Sequence, residues 1–440
     1  MDALTSLEVS IPASILQPFL AATNSSTLNT ALENLIELAR TADGRSDLAS
    51  KNILNTALQL SKLLSYPSSG DTLVLTLKLI RNLCAGELRN QNSFIKQNGV
   101  DIVSKIISSK DIVNDSNYGI IRMGLQVLAN VSLAGKKHQL VIWNHICSLE
   151  FFEIAKIRRK ETCDPLLGYG EDWVKLILSR TCIEESYFTS IFSNLQSPTQ
   201  NTNTFTQVQS FLLSILSEII NEQIEHITVS NLFAFEVFKI LKTTLGIVNY
   251  VSRPKSGLPT GSIDIDALGY SLSILRDICA FDPLHKEGYV DIVDPLLSLG
   301  LIEMFLDLLR DLELPSIIRK TINRDENTSG KVCPYKGFRS DIVAVIGNCA
   351  YRRKRVQDEV REKNGILLML QHCVTDDENS FLREWGIWGV RNLLEGNVEN
   401  QGVVRELEIQ GSVNLPELAN MGLRVDVDQE TRRAKLVNMG

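Results

Sequence analysis

The side chains in this chain that could do bond-making chemistry are few and scattered. Of five histidines, His145 comes nearest to a metal set, with Cys147 beside it and Cys163 further on. Structural zinc sites take paired, closely spaced ligands, and none of the eight cysteines stands in a Cys-x-x-Cys pair. Asp376, Asp377 and Glu378 form an acidic turn without the spacing of a calcium loop, so a solvated helix start is the plainer reading. No Gly-rich phosphate loop is followed by a lysine. The basic run Arg352 to Arg355, in YRRKR, has the look of a phosphate patch or nuclear import signal, but such runs are ordinarily solvated turns. Arg158 to Lys160 reads the same way. No catalytic, cofactor-binding or metal-ligating residue is therefore assigned. What does recur is a carboxamide. Asn82, Asn130, Asn348 and Asn392 are each followed nine places later by a glutamine: Gln91, Gln139, Gln357 and Gln401. A carboxamide both donates and accepts hydrogen bonds, which suits recognition of backbone rather than catalysis.

These carboxamides need elements to position them. Leu77, Ile80 and Leu83 surround Asn82, and Leu125, Leu128 and Val131 surround Asn130. Val343 and Ile346 precede Asn348, as Ile387 and Val390 precede Asn392. Residues three and four apart share one face of a helix, so each copy builds an apolar stripe ending at the Asn. Twelve places after the Asn stands a further apolar residue: Phe94, Ile142, Val360 or Val404. A divergent copy around Asp277 has Leu272, Leu275 and Ile278, with Lys286 for the glutamine and Tyr289 for the apolar residue. A weak first copy offers Leu32, Leu35 and Leu38, with Glu37 in the Asn place. A frame recurring at roughly forty residues means stacked helical units, none of which can bury its face alone. The pattern predicts an all-α, armadillo-like α-solenoid, a right-handed superhelix of stacked helical repeats. Ile387, Val390 and Leu393 are expected between stacked units.

The run EWGIWGVRNLLEGNVENQ, with IGNCAYRRKRVQDEVREKNGI before it, resembles the carboxy-terminal domain of the ataxin-10 family. The resemblance is specific from about Phe338 to Met439 and general over the rest. It divides the chain into armadillo-like repeats with polar insertions over 1–337 and an ataxin-10 domain over 338–440, continuous with the solenoid. It implies a non-enzymatic interaction scaffold, cytoplasmic or perinuclear, linked in animal members to cell survival, neurite growth and cell division, cytokinesis included. In armadillo proteins the Asn-bearing helix lines a concave groove, so Asn82, Asn130, Asn348 and Asn392 are candidate protein-binding residues. Trp388 lies four before Asn392 and shares its face; Arg383 and Arg391 complete the candidate surface. The alternative is that each Asn bonds the neighbouring unit and closes its helix. A nuclear transport adaptor would repeat the Trp–Asn pair, yet Lys78, Gln126 and Ala344 stand in the other Trp places. An enzyme with an unrecognised site remains a further alternative, as does homo-oligomeric scaffolding through an exposed apolar patch.

The formal net charge of -7 provides no global basic field for nucleic acid, so the expected partners are other proteins. No cofactor is expected. The opening residues lack a basic region before an apolar run. The most apolar stretch, Phe211 to Ile220, is too short to span a bilayer and carries Glu218, so no membrane insertion is expected. Cys84, Cys279 and Cys349 fall beside apolar frame positions and read as small core residues of a reducing compartment. Gln196 to Thr204 and Asn323 to Lys331 lack residues to bury and are expected to be mobile loops. Asn414 to Ala419 reads as a short helix. Leu423 to Val427 and Ala434 to Asn438 alternate around DQET in the manner of a small terminal hairpin.

Overall fold

The computed structural model describes residues 25–64, 66–109, 111–112, 118–146, 168–185, 187–196, 205–251, 256–280, 291–321, 330–406, 423–427 and 434–438. Several expectations fall wholly or mostly outside these residues: Cys147, Cys163, Arg158 to Lys160, Lys286 and Tyr289, the loops expected at Gln196 to Thr204 and Asn323 to Lys331, and the helix expected at Asn414 to Ala419. The chain divides into two units, Met1–Val248 with Leu258–Ile278, and Asn249–Gly257 with Cys279–Gly440.

The first unit opens with α1 (Ser25–Leu38), α2 (Ala42–Ser50), α3 (Ile53–Leu63), α4 (Gly70–Leu83), α5 (Leu88–Lys96), α6 (Gly99–Ile107), α7 (Tyr118–Ser132) and α8 (Lys136–Ile146). The grammar of a repeat is visible here. An Asn-bearing helix, α4, ends beyond Asn82. Gly86 then takes a left-handed φ of 70°, a backbone region that glycine enters without a Cβ penalty. A short helix, α5, follows and stops at Asn98, also left-handed at 56°; α6 begins at the next residue. The second unit repeats these breaks at Gly300 (82°), Asn364 (54°) and Gly396 (68°).

The stripes are buried where the spacing places them. Leu77, Ile80, Leu83 and Phe94 are fully buried, as are Leu128, Val131 and Ile142. Leu272, Leu275 and Ile278 are sealed as well. In the weak first copy Leu32 and Leu35 are buried, but Leu38 is exposed. The helices α9 (Gly168–Leu178), α10 (Phe188–Asn194), α11 (Gln207–Gln223), α12 (Asn231–Ile247) and α13 (Ile263–Cys279) complete this run. A six-residue π-helix, Ser179–Glu184, lies between α9 and α10. The start of α11 is fixed by a reciprocal cap, in which the Thr206 hydroxyl accepts from the Gln209 amide and the Gln209 side chain accepts from the Thr206 amide, satisfying two otherwise orphan donors. Lys175 on α9 is buried, and its Nζ donates to Glu218 at 2.7 Å and Glu222 at 2.9 Å on α11. Burial alone would lower its pKa; the two carboxylates outweigh that and raise it.

The second unit contains α14 (Val293–Ser298), α15 (Leu301–Asp311), α16 (Ser316–Thr321), α17 (Phe338–Ala350), α18 (Lys354–Glu362), α19 (Gly365–Leu370), α20 (Leu382–Leu394) and α21 (Val398–Arg405). It ends in the antiparallel hairpin β1 (Leu423–Val427) and β2 (Ala434–Asn438), in which Val425 pairs with Leu436. The hairpin stands where the sequence alternation puts it. The helices α17 and α20 approach through glycines: a Cβ added at Gly347 would meet the Gly389 Cα at 2.9 Å. Around them lies a buried polar group. Arg339 is 2% exposed; its Nη1 donates to His372 Nε2 at 3.1 Å, its Nη2 donates to the Glu313 carbonyl, and its backbone N–H donates to Asn379 Oδ1 at 3.0 Å.

The expected burial of α20 needs correction. Leu393 is fully buried, but Ile387 is 52% exposed and Val390 is only partly buried. The residues of α20 that face α17 and the loop after α19 are Gly386 and Gly389, whose missing side chains allow backbone contact with His372 and Gly347. Ile387 occupies the place of Leu77 and Val343, which are buried in their own repeats.

Candidate protein-binding surface

The Asn series is placed by the helices that carry it, and its amides turn toward neighbouring units. Asn82 Nδ2 donates to the Ile36 carbonyl at 3.3 Å, Asn130 Nδ2 to Arg81 at 3.0 Å, and Asn392 Nδ2 to Gly347 at 3.0 Å. In every case the acceptor is the residue just before the preceding frame position: Glu37, Asn82 or Asn348. The glutamines do the complementary work. Gln91, Gln139, Gln357 and Gln401 donate to the carbonyls of Cys84, Ser132, Ala350 and Leu394, the last turns of their own Asn-bearing helices. Two reach onward as well, Gln91 to the Asn130 carbonyl at 2.9 Å and Gln357 to the Asn392 carbonyl at 2.8 Å. These bonds satisfy helix-end carbonyls that would otherwise lack partners.

The oxygens of these amides differ. Asn82 Oδ1 accepts from Arg81 through Nε at 3.0 Å and Nη2 at 2.7 Å, so both ends of that carboxamide are engaged. Burial, then the charges of Arg122 and Arg40, lower the pKa of Arg81. Asn392 is 6% exposed, and its Oδ1 has no hydrogen-bond partner among the described residues. Asn348 is partly buried on α17. Asn82 and Asn130 belong to the first unit; Asn348, Arg383, Trp388, Arg391 and Asn392 belong to the second.

On α20, Trp388 is 53% exposed, and the Arg391 guanidinium lies 4.9 Å from its ring centroid, within cation–π range. Phe381, one helical repeat earlier, is 71% exposed and takes a left-handed φ of 61°. The exposed groups here are the Phe381 and Trp388 rings and the Arg391 guanidinium; the Asn392 Oδ1 on the same helix is buried. Arg383 is exposed but lies four residues before Ile387, hence on the Ile387 stripe rather than the Trp388 face.

The basic run is tied into the fold. Arg353 is 7% exposed and its Nε donates to Asp291 Oδ2 at 2.7 Å. Burial opposes its charge, but Asp291 outweighs it and the pKa rises. Lys354 pairs with Glu399 at 3.2 Å, and Arg355 with Asp294 at 3.0 Å. Arg352 takes the left-handed place that Gly86 and Gly396 hold in other repeats.

Among the described residues no group of three His, Cys, Asp or Glu could hold a metal ion, and no helix is long and apolar enough to cross a membrane. His145 is exposed, with Nδ1 on the Val141 carbonyl at 2.9 Å. Cys84, Cys279 and Cys349 are buried; burial pushes the Cys84 thiol well above its usual range. Cys182 is buried too and pushed up to about 12, the condition of an inert core thiol.

Sequence reasoning missed Asn221 on α11, although Leu216 and Ile219 stand in its apolar frame places and are fully buried. Its Nδ2 donates to Asp277 Oδ2 at 3.3 Å. The signal was the apolar stripe alone, since Ser230 stands where the glutamine would be. It also missed Gly386 and Gly389, because glycines do not register in an apolar stripe.

The repeating Asn-bearing helices, joined by carboxamide bonds from unit to unit, define an all-α protein of the armadillo-like helical-repeat class. The spinocerebellar ataxia type 10 protein domain matches residues 338–437. An ataxin-10 homolog of Dictyostelium discoideum is 40% identical over 94 residues, 21% of this chain and 15% of that protein. Ataxin-10 of Bos taurus is 24% identical over 429 residues, covering 86% of this chain and 88% of the relative. Ataxin-10 of Homo sapiens is 24% identical, covering 82% of each. Residues 338–437 thus match the ataxin-10 domain, and over most of its length the chain is similar to ataxin-10 proteins. Among solved structures, an engineered protein aligns over 86% of this chain at 11% identity and a TM-score of 0.39, and a designed armadillo repeat protein over 77% at 9% identity and a TM-score of 0.29.

Proposed function

We propose that the chain is a non-enzymatic scaffold of the ataxin-10 type that holds partner proteins on the Trp388 face of its last complete repeat. The observation that carries this reading is the half-exposed Trp388 with the Arg391 guanidinium 4.9 Å from its ring centroid. Trp and Arg are the side chains that most often dominate binding energy at interfaces. The amides of Asn82, Asn130 and Asn392 serve the fold, so the partner-facing role narrows from the whole Asn series to this one repeat. A cytoplasmic, perinuclear role in cell division or cell survival belongs to the same proposal and rests on the family.

The transport-adaptor alternative needs a ladder of exposed Trp–Asn pairs. Ala344, in the Trp388 place of α17, is fully buried, which disfavours it. The test is affinity capture with the unaltered chain, Trp388→Ala and Arg391→Ala in parallel, with thermal unfolding of each. Loss of a common set of proteins by both variants at unchanged Tm supports the proposal; retention of the whole set refutes it.

A further inference from the structure

Lys78 and Arg81 stand one turn apart on α4 and share a face of it. Both are partly buried. A cation drawn from water ordinarily finds a carboxylate, as Lys175 does with Glu218 and Glu222 and Arg353 does with Asp291. Arg81 does not. Its Nε and Nη2 donate to Asn82 Oδ1 at 3.0 Å and 2.7 Å. Its Nη1 donates to Gln126 Oε1 at 2.8 Å and lies 3.8 Å from Met123 Sδ, both on α7. All of these acceptors are neutral. Burial first, then the charge of Arg122 and then that of Arg40, lower the Arg81 pKa, so the charges that bear on it share its sign. Lys78 has neither a hydrogen bond nor an ion pair among the described residues. Arg40, by contrast, is balanced by Glu37 at 3.0 Å.

The fold holds these cations in place without neutralising them. Asn82 Nδ2 ties α4 to the Ile36 carbonyl of α1, Thr72 Oγ1 donates to Asn29 Oδ1 at 2.8 Å, and Asn130 Nδ2 ties α7 to the Arg81 carbonyl. Gln126, which receives the guanidinium, is itself buried at 4% exposure. The Arg81 side chain is thus fixed against α7 by carboxamides, which orient it and leave its charge. The complement of a preset guanidinium and an unpartnered ammonium is a pair of carboxylates. Alternate side chains of an extended strand stand about 7 Å apart, and one helical turn is about 5 Å, a difference that the long Lys78 side chain spans. Glu33 and Glu37 are exposed on α1, and the formal net charge is -7. Both disfavour a nucleic acid strand, whose binding draws on a broad basic field.

We propose that the Lys78–Arg81 face of α4, with Arg122 of α7 beside it, is a second docking surface whose occupant is an extended acidic segment of a partner protein. Carboxylates of that segment pair with the Lys78 ammonium and the free edge of the Arg81 guanidinium. The carboxamides of Asn82 and Gln126 keep their place in the fold, and the cations beside them supply the contact. This surface belongs to the first unit and Trp388 to the second, so either proposal can fail without the other.

The test is fluorescence anisotropy of labelled octaglutamate against the full chain at low ionic strength, with octalysine and a single-stranded oligonucleotide as competing probes and thermal unfolding of every variant. Octaglutamate is expected to bind saturably, and more weakly as salt is added. Lys78→Glu should weaken binding by about tenfold or more, because repulsion replaces attraction. Lys78→Ala and Arg81→Gln should weaken it in the same direction. The Lys78 variants should keep the thermal midpoint, since Lys78 makes no bond within the fold. They carry the test even where Arg81→Gln lowers the midpoint by loosening Asn82 and Gln126. Lys239→Ala is the control, removing an exposed lysine of the same unit that pairs with Glu236 at 3.4 Å, and should leave affinity unchanged. No saturable binding of octaglutamate would overturn the proposal. So would affinity indifferent to both Lys78 variants, or equal binding of octalysine. Tighter binding of the oligonucleotide, lost with Lys78→Glu, would also overturn it, by assigning the face to nucleic acid.

Discussion

Asn392 donates its side-chain amide to the carbonyl of Gly347, immediately before Asn348, at 3.0 Å. Asn130 does the same to Arg81, immediately before Asn82. The repeat frame is thus a hydrogen-bonded ladder as well as a hydrophobic one. Asn130→Ala should cost about 1–3 kcal/mol, because the Arg81 carbonyl loses its donor in a partly buried site. Urea unfolding of the variant against the unaltered chain checks this, and a cost near zero would mean that water replaces the amide.

The approach of Gly347 to Gly389 leaves no room for a methyl group. Gly347→Ala must push α17 from α20 and should destabilise by roughly 1–3 kcal/mol, the usual range for overpacking. The same substitution at Gly402, with nothing within 4 Å of an added Cβ, is the control and should cost far less. Comparable losses at both sites would contradict the close helix contact.

Leu393→Ala should cost about 2–5 kcal/mol, since a fully buried leucine leaves a cavity. Ile387→Ala should cost distinctly less, because the side chain is half-exposed. Chemical denaturation of the pair reads the difference directly; equal losses would mean that Ile387 is covered in solution.

His372 gives the fold a pH dependence. It is 1% exposed, its Nδ1 bonds the Leu368 carbonyl at 2.7 Å, and Arg339 donates to its Nε2. Burial first, then the Arg339 charge, push its pKa from 6.5 down to about 4. The folded state holds the neutral ring, so this contribution is complete above 6.5 and is lost as pH falls toward 4. At about 1.4 kcal/mol per pKa unit, roughly 3 kcal/mol is at stake. Stability of the unaltered chain and of His372→Gln, measured from pH 7 to pH 4, should converge toward the acid end. Parallel profiles would contradict the buried neutral imidazole.

Much of this fold was legible because repetition is a physical signal. Leu77, Ile80 and Phe94 announce a buried stripe by spacing alone, and the alternation at 423–427 announces a strand. What spacing does not reveal is where an array stops. Ile387 and Val390 satisfy the same pattern as Val343 and Ile346, yet the first pair is open to solvent where the second is sealed. Nor does an Asn in frame disclose whether its amide faces a neighbour or a ligand. That depends on the Ile36, Arg81 and Gly347 carbonyls, which every residue possesses and no sequence marks. The buried Lys175 with Glu218 and Glu222 was hidden for a related reason: its partners lie on another helix, far along the chain.

The central claim is that the Trp388 face binds partners rather than holding the fold together, and the paired measurement on Trp388→Ala tests it most directly. The variant's thermal midpoint and its captured proteins are compared with those of the unaltered chain. An unchanged midpoint with loss of a defined set of partners, also lost by Arg391→Ala, is the predicted result. A collapsed midpoint in Trp388→Ala, with every partner retained by Arg391→Ala, would contradict it.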